Sequence, residues 1–332
     1  MKYIEREGLT ADPKIVFMGT PEYAVPSLER LVEHGYGIQA VVTQPDRPKG
    51  RGRKSVSPPV KEAAQRLSLP VLQPERASDR AFCETIQDLA PDLLVVVAFG
   101  QILKKVLLTV PRWGVLNIHA SLLPRYRGAA PIQWAVINDE NETGLTAMRM
   151  DEGLDTGPVL LQERVSIGAE ETAGELHDRL ARLSGDVLLK TIDGLMHHRL
   201  TETAQDSALA SYAPKIDRGM SRIAWDRSAR SISALIRGLD PWPGAVTLAQ
   251  GKEIKLFSAK VEEGNGPEVP EKHIPGRVMG CSAKGLLVET GTGMVRIREL
   301  QAPGRRRLPA SEFLRGFPLD EGMVLGNEDF GS

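Results

Sequence analysis

The chain has 332 residues, 41% hydrophobic and 26% charged, with 42 Lys and Arg against 43 Asp and Glu for a formal net charge of −1. That length predicts two domains at roughly 100–200 residues each, and that composition predicts a soluble globular protein with a sizeable core. No apolar run is long enough to cross a bilayer, and the two cysteines, Cys83 and Cys281, are too far apart in sequence to suggest a disulfide framework or a zinc site.

The opening MKYIEREGLTADP, residues 1–13, has no apolar stretch of the secretory kind and is expected to be an extension outside the fold. A cytoplasmic location is the matching expectation. KIVFM (14–18) reads as a buried strand, and AVPSLERLVEHG (24–35) as a helix ending at a glycine. IQAVVTQ (38–44) is a second strand, PPVKEAAQRLSL (58–69) a helix and PVLQP (70–74) a short strand. SDRAFCETIQDLA (78–90) reads as a helix capped by Ser78. DLLVVVAF (92–99) is a continuous run of the kind found in central parallel strands, and GVLNIHA (114–120) is the next strand. A helix (131–139), two strands (144–150 and 159–167) and a long helix (172–198) complete this part. Alternation of this kind predicts a doubly wound, mostly parallel α/β sheet, with ligands beyond the carboxyl ends of its strands.

A polar stretch, 201–219, reads as a linker, which puts the first domain at 14–200 and the second at 220–332. The second domain shows one helix (226–239), five short strands separated by glycine-rich turns, and a final short helix (309–317). This pattern predicts a small OB-like β-barrel. Residues 211–319 carry 18 Lys and Arg against 11 Asp and Glu, a net of +7, which suits a polyanionic partner or an ordinary solvated surface.

Three segments could carry chemistry. In NIHASLLPRYRGAAP (117–131), strand alternation puts Asn117 and His119 on one face near a strand end. An amide beside an imidazole could stabilise an oxyanion and move a proton, or the pair could merely satisfy nearby backbone groups. MDEGLDTGP (150–158) offers Asp151, Glu152 and Asp155 on a glycine-marked loop. A carboxylate brought to His119 would fix its tautomer and favour the imidazolium, whereas a plain acidic turn is the alternative. TQPDRPKGRGRK (43–54) carries Arg47, Lys49, Arg51, Arg53 and Lys54 against Asp46. Its prolines and glycines predict a long loop without regular structure at the mouth of the crevice, suited to phosphate or nucleic acid. GRRRL (304–308) is a weaker basic cluster. The first turn, MGTPEYA, lacks the G-x-G-x-x-G pattern, and no metal cluster is legible, so a dinucleotide site and a bound metal are not expected.

The segments FMGTPEYA (17–24), VVTQPDRPKGRGRK (41–54), NIHASLLPRYRGAAPIQ (117–133), MDEGLDTG (150–157), SYAPKI (211–216) and DPWPGA (240–245) together resemble the folate-dependent formyltransferases, and within them the branch that formylates methionyl-tRNA. The resemblance implies transfer of the formyl group of 10-formyltetrahydrofolate to the α-amine of initiator methionyl-tRNA, without metal. It implies Asn117, His119 and Asp155 as the catalytic trio, and Ser121, Leu122, Leu123 and Pro124 as folate-site residues. It further implies tRNA contacts along the basic segment led by Arg47, and Tyr23 at the methionyl side chain. A monomer is expected. A formyltransferase acting on glycinamide ribonucleotide or an amino sugar nucleotide would share the trio, and a non-enzymatic RNA-binding protein would need only the basic surface.

Overall fold

The computed structural model describes residues 13–49, 54–262 and 273–326. The chain divides into two compact units. One is drawn from the residues up to Gly128, Thr143–Val165 and His177–Tyr212; the other from Ala129–Glu142, Ser166–Leu176 and the residues from Ala213 onward.

In chain order the elements before residue 213 begin with β1 (Ile15–Gly19), α1 (Val25–Glu33), β2 (Ile38–Val42), β3 (Arg47–Lys49), β4 (Lys54–Val56), α2 (Pro59–Arg66), β5 (Val71–Leu72) and α3 (Arg80–Leu89). They continue with β6 (Leu93–Val97), α4 (Lys105–Leu108), β7 (Val115–His119), β8 (Arg127–Gly128), α5 (Pro131–Ile137), β9 (Glu142–Arg149), β10 (Val159–Ser166), α6 (Ala173–Met196) and β11 (Tyr212–Ala213). Every residue of β1, β6 and β7 is buried, as runs covered on both faces require. Proline opens α2 at its first position, where the missing N–H has no intrahelical role.

The large sheet has the order β10-β9-β7-β6-β1-β2-β5. Pairing is parallel from β5 through β2, β1 and β6 to β7, and β9 runs antiparallel to β7. The expected mostly parallel α/β sheet is therefore present. The chain winds outward from β1 to β5, then returns to β6 on the other side of β1. That reversal opens a crevice at the carboxyl ends of the central strands. One local expectation fails: α3 begins at Arg80, with Asp79 rather than Ser78 at its cap position and no capping side chain. Ser78 instead lies in a turn closed by the Asp79 N–H donating to the Arg76 carbonyl at 3.0 Å.

The second unit contains α7 (Ala229–Gly238), β12 (Ala245–Ala249), β13 (Lys252–Val261), β14 (Val278–Ser282), β15 (Gly285–Glu289), β16 (Met294–Gln301), β17 (Leu308–Pro309) and α8 (Ala310–Gly316). Its strands form an antiparallel sheet in the order β12-β13-β16-β15-β14, with β17 on β16. Ile254, Leu256, Leu286, Val288, Val295 and Ile297 fill its core against Ile232 and Ile236 of α7 and Phe313 of α8. The edge strands β12 and β14 share no ladder among the described residues. A short segment lies against both: the Gly326 N–H donates to the Leu248 carbonyl and the Val278 N–H to the Met323 carbonyl, at 2.9 and 2.7 Å.

Residues 129–142 and 166–176 join this unit for a physical reason. Arg237 of α7, 4% exposed, donates to Asp139 Oδ1 at 2.7 Å and to the Glu171 carbonyl at 3.1 Å. A buried guanidinium is tolerated where its charge is met in this way, and here its Nε alone is left buried without a partner among the described residues. Among the described residues, no helix is long and apolar enough to cross a membrane.

Gly285 opens β15 at φ +124°, and a Cβ there would lie 2.4 Å from the Ile297 carbonyl oxygen of the neighbouring strand. Gly285→Ala should lower unfolding free energy by about 1–3 kcal/mol through backbone strain. Chemical denaturation checks this, and an unchanged midpoint would show that the strand relaxes freely.

Candidate active site

Strand β7 brings Asn117 and His119 to the same face, and pairing with β9 sets Asn117 opposite Met148 and His119 opposite Thr146. Both polar side chains are nearly buried, at 8% and 7% exposure. His119 Nε2 lies 2.9 Å from the Tyr126 carbonyl oxygen. A carbonyl only accepts, so Nε2 carries a proton and donates it there. The other nitrogen, Nδ1, faces Asp155 Oδ1 at 3.7 Å, beyond hydrogen-bond distance. The carboxamide of Asn117 has no hydrogen-bond partner among the described residues.

Asp155 is held from two directions. Its Oδ2 accepts from the Gly128 N–H at 2.8 Å. Its own carbonyl accepts from Gln205 Nε2 at 2.9 Å, and the same amide nitrogen donates to the Gly157 carbonyl at 2.7 Å. The oxygen of Gln205 takes both Nε and Nη2 of Arg127, at 3.1 and 2.9 Å, which fixes which way the amide points. Arg127 is itself 2% exposed. Asp155 and Tyr126 sit in left-handed backbone, at φ +54° and +59°. Non-glycine residues hold that conformation only where their surroundings impose it. Here Ser211 does so at Tyr126, its hydroxyl accepting from the Tyr126 N–H at 2.9 Å.

The other acids of that loop do different work. Asp151 Oδ1 accepts from the Gly153 N–H and the Thr156 hydroxyl at 3.0 and 2.7 Å, shaping the turn. Glu152 pairs with Lys105 at 3.3 Å on the surface. Neither is brought to His119.

The segment Ser121–Pro124 is braced by β9 and β10. The Ser121 hydroxyl donates to the Arg125 carbonyl at 2.6 Å, and the Ser121 carbonyl accepts from Thr146 at 2.6 Å. The Leu123 N–H donates to Thr146 Oγ1 at 3.1 Å, and Gln162 donates to the Leu123 carbonyl at 2.8 Å. Leu123 is 4% exposed, while Leu122 and Pro124 are half-buried. Leu122 lies over Gly144, where a Cβ would come within 2.5 Å of its Cδ2 and 2.2 Å of the Glu163 carbonyl oxygen. The hydroxyl of Ser121 is thus engaged within the segment, which leaves Leu122 and Pro124 as its more accessible side chains.

Tyr23 follows β1 in a short 3-10 turn and is 6% exposed. Its ring is 5.1 Å from that of His177, and its hydroxyl is buried without a partner. Burial pushes its phenol well above the ordinary value.

The basic segment corrects its sequence reading. Instead of lacking regular structure, β3 and β4 form an antiparallel hairpin, with Arg47 opposite Val56, Pro48 opposite Ser55 and Lys49 opposite Lys54. Proline is compatible with a two-stranded ribbon because the edge needs no donor from it. Asp46 anchors the base, accepting from Lys61 Nζ at 2.8 Å, Gln73 Nε2 at 2.8 Å and Ser57 at 3.3 Å. Hydrogen bonds from Gln73 and Lys61 hold its carboxyl below the usual range. Arg47 is exposed and 3.5 Å from Glu75. Arg51 and Arg53 lie outside the described residues. Of the second cluster, Arg307 is half-buried, pairing with Asp240 at 2.9 Å and Glu299 at 2.5 Å, whereas Arg305 and Arg306 are exposed.

Sequence reasoning missed the Tyr126 carbonyl, the Gly128 N–H, Arg127 and Gln205. The R-Y-R-G run directly after Ser121–Pro124 was the available signal for the first three; Gln205 lay in a stretch read as linker. Among the described residues, no group of three or more His, Cys, Asp or Glu could hold a metal ion.

The formyl transferase family profile matches residues 13–192, and the profile of the formyl transferase C-terminal domain matches residues 215–318. The chain is 50% identical over 313 residues to a methionyl-tRNA formyltransferase of Pelotomaculum thermopropionicum, covering 94% of this chain and 98% of that one. It is 51% identical over 313 residues to a methionyl-tRNA formyltransferase of Pelobacter propionicus, covering 94% and 96%. Among solved structures, WlaRD, a sugar 3N-formyl transferase, shares the fold at TM-score 0.63 and 18% identity, covering 90% of this chain and all of the other. HypX from Aquifex aeolicus, solved with tetrahydrofolic acid, matches at TM-score 0.62 and 17% identity, covering 96% of this chain and 51% of that one. The chain is an enzyme of the folate-dependent formyltransferase class, and it belongs to the methionyl-tRNA formyltransferase family.

Proposed function

We propose that the chain transfers the formyl group of 10-formyltetrahydrofolate to the α-amine of initiator methionyl-tRNA, with Asn117, His119 and Asp155 at the reacting carbon. The observation that carries this reading is the meeting of His119 Nδ1 and Asp155 Oδ1 at 3.7 Å, on the strand face that also presents Asn117. At that separation nothing fits between the two groups, which suits their acting together on something beside them.

In this reading the α-amine attacks the formyl carbon and a C–N bond forms. Asn117 donates a hydrogen bond to the oxygen as it becomes an oxyanion. With Nε2 committed to the Tyr126 carbonyl, His119 presents its Nδ1 edge to the reaction. Asp155 accepts the proton the amine gives up, directly or through water. The bond from the carbonyl carbon to the folate nitrogen then breaks, and that nitrogen takes the proton. Half-buried Leu122 and Pro124 offer apolar contact for the folate, with Ser121 and Leu123 holding their backbone. Tyr23 contributes to the methionyl pocket from behind, through the His177 contact.

The same reading assigns residues 14–200 to catalysis, 201–219 to a linker whose Gln205 and Ser211 also brace the site, and 220–332 to an OB-like tRNA-binding module. The five antiparallel strands and the Met323–Gly326 segment against both edges support that assignment. Arg47 on the β3–β4 hairpin, with Lys49, Arg51, Arg53 and Lys54, would meet the acceptor end. The enzyme would act as a cytoplasmic monomer without metal.

Asn117→Ala, His119→Ala and Asp155→Ala should each slow single-turnover formyl transfer by about 10²–10³-fold, the usual effect of removing an oxyanion donor or a proton-transfer group. Their tRNA affinity should stay near that of the parent. Near-parental turnover of any one would remove that residue from the reaction.

The parent should formylate initiator methionyl-tRNA in preference to elongator methionyl-tRNA. Arg47→Ala should narrow the ratio of the two kcat/KM values by about 10-fold, as loss of one directed arginine contact implies. An equal fall for both tRNAs would make Arg47 a general phosphate contact. Transfer to an amino sugar nucleotide but to neither tRNA would replace the proposed substrate.

A further inference from the structure

The second unit contains a cleft of about 700 Å³ that the proposed formyl transfer does not use. Its lining includes apolar Trp134, Met220 and Leu235 together with the exposed Arg222, Arg227 and Arg230. One carboxylate, Asp139, also lines it. Asp139 is already paired with Arg230 and with the buried Arg237. Three arginines against one carboxylate leave the lining with an excess of two positive charges. A concave wall with charge of one sign concentrates anions of the opposite sign.

The volume lies within the range of roughly 300–1,000 Å³ typical of small-molecule sites. The apolar and aromatic side chains of the lining suit a flat ring, and its arginines suit phosphate oxygens, which they can grip through two parallel donors. A paired duplex base could not use these apolar groups, because its faces are already stacked. We propose that this cleft binds an unpaired nucleotide, with the base against Trp134, Met220 and Leu235 and the phosphate against Arg222, Arg227 and Arg230. A free nucleoside phosphate and an unpaired nucleotide within an RNA chain share this chemistry. The inference goes beyond the formyl-transfer reading and does not require it.

The test is calorimetric titration of the full chain, without formyl donor, with ATP, with GTP and with a short single-stranded oligoribonucleotide. Each is repeated on Arg222→Glu and Arg227→Glu, whose exposed side chains can reverse charge without disturbing the core, and on Trp134→Phe, which keeps an apolar ring. Saturable mononucleotide binding that weakens at least about 10-fold in either charge-reversal variant supports the free-nucleotide source. Binding confined to the oligonucleotide, with the same sensitivity, supports the RNA source. Trp134→Phe should weaken the responsive ligand less than either charge reversal. If none of the three ligands binds, or if charge reversal changes affinity less than about 2-fold, the proposal is overturned. Because turnover is not measured, this failure is distinguishable from failure of the formyl-transfer reading.

Discussion

The fixing of Asp155 is the interaction on which the candidate site depends. Its carboxylate is tied to the Gly128 N–H, and its backbone is tied to Gln205, which Arg127 orients in turn. Without those ties a left-handed aspartate on a glycine-rich loop would relax, since that conformation is disfavoured by about 1–3 kcal/mol. With them, Asp155 Oδ1 is left pointing at His119 while Oδ2 is engaged elsewhere. His119 is oriented by a different group, the Tyr126 carbonyl. The acid and the imidazole are therefore positioned independently, and neither relies on a direct hydrogen bond to the other. Such pre-organisation lets both respond to charge that develops only during reaction.

The same economy shapes the walls of the site. Thr146, opposite His119 on the antiparallel strand, bonds to both Ser121 and Leu123. One buried hydroxyl thus fixes the chain just past the strand end, and Gln162 reinforces it from β10. Gly144 lets Leu122 settle against β9. The antiparallel pairing of β7 with β9 delivers this support, because it sets Thr146 beside His119 at the end of β7.

Much of this was legible in sequence, and the rest was not for identifiable reasons. The central strands could be read because β1 and β6 are continuous apolar runs, a pattern that burial on both faces demands. Asn117 and His119 could be read because strand alternation puts them on one face. The partner of His119 Nε2 could not be assigned to one residue, since a main-chain carbonyl has no residue type and the R-Y-R-G run marks only the stretch that holds it. Gln205 was hidden in a polar stretch whose composition resembles any linker. The hairpin of Arg47 was hidden by Pro48 and the neighbouring glycines, which usually mark irregular chain. The membership of residues 129–142 in the second unit rests on Ala130, Trp134 and Ile137 packing into its core and on Arg237 reaching Asp139 across 98 positions, contacts no local pattern encodes.

The central claim is that His119 and Asp155 serve one reacting carbonyl as a unit. A double-mutant cycle on single-turnover formyl transfer tests it, using His119→Ala, Asp155→Asn and the combined variant. Residues that act together are strongly non-additive, so the combined variant should be little slower than the slower single variant. Losses that multiply in the combined variant would contradict the account and make the two residues independent contributors.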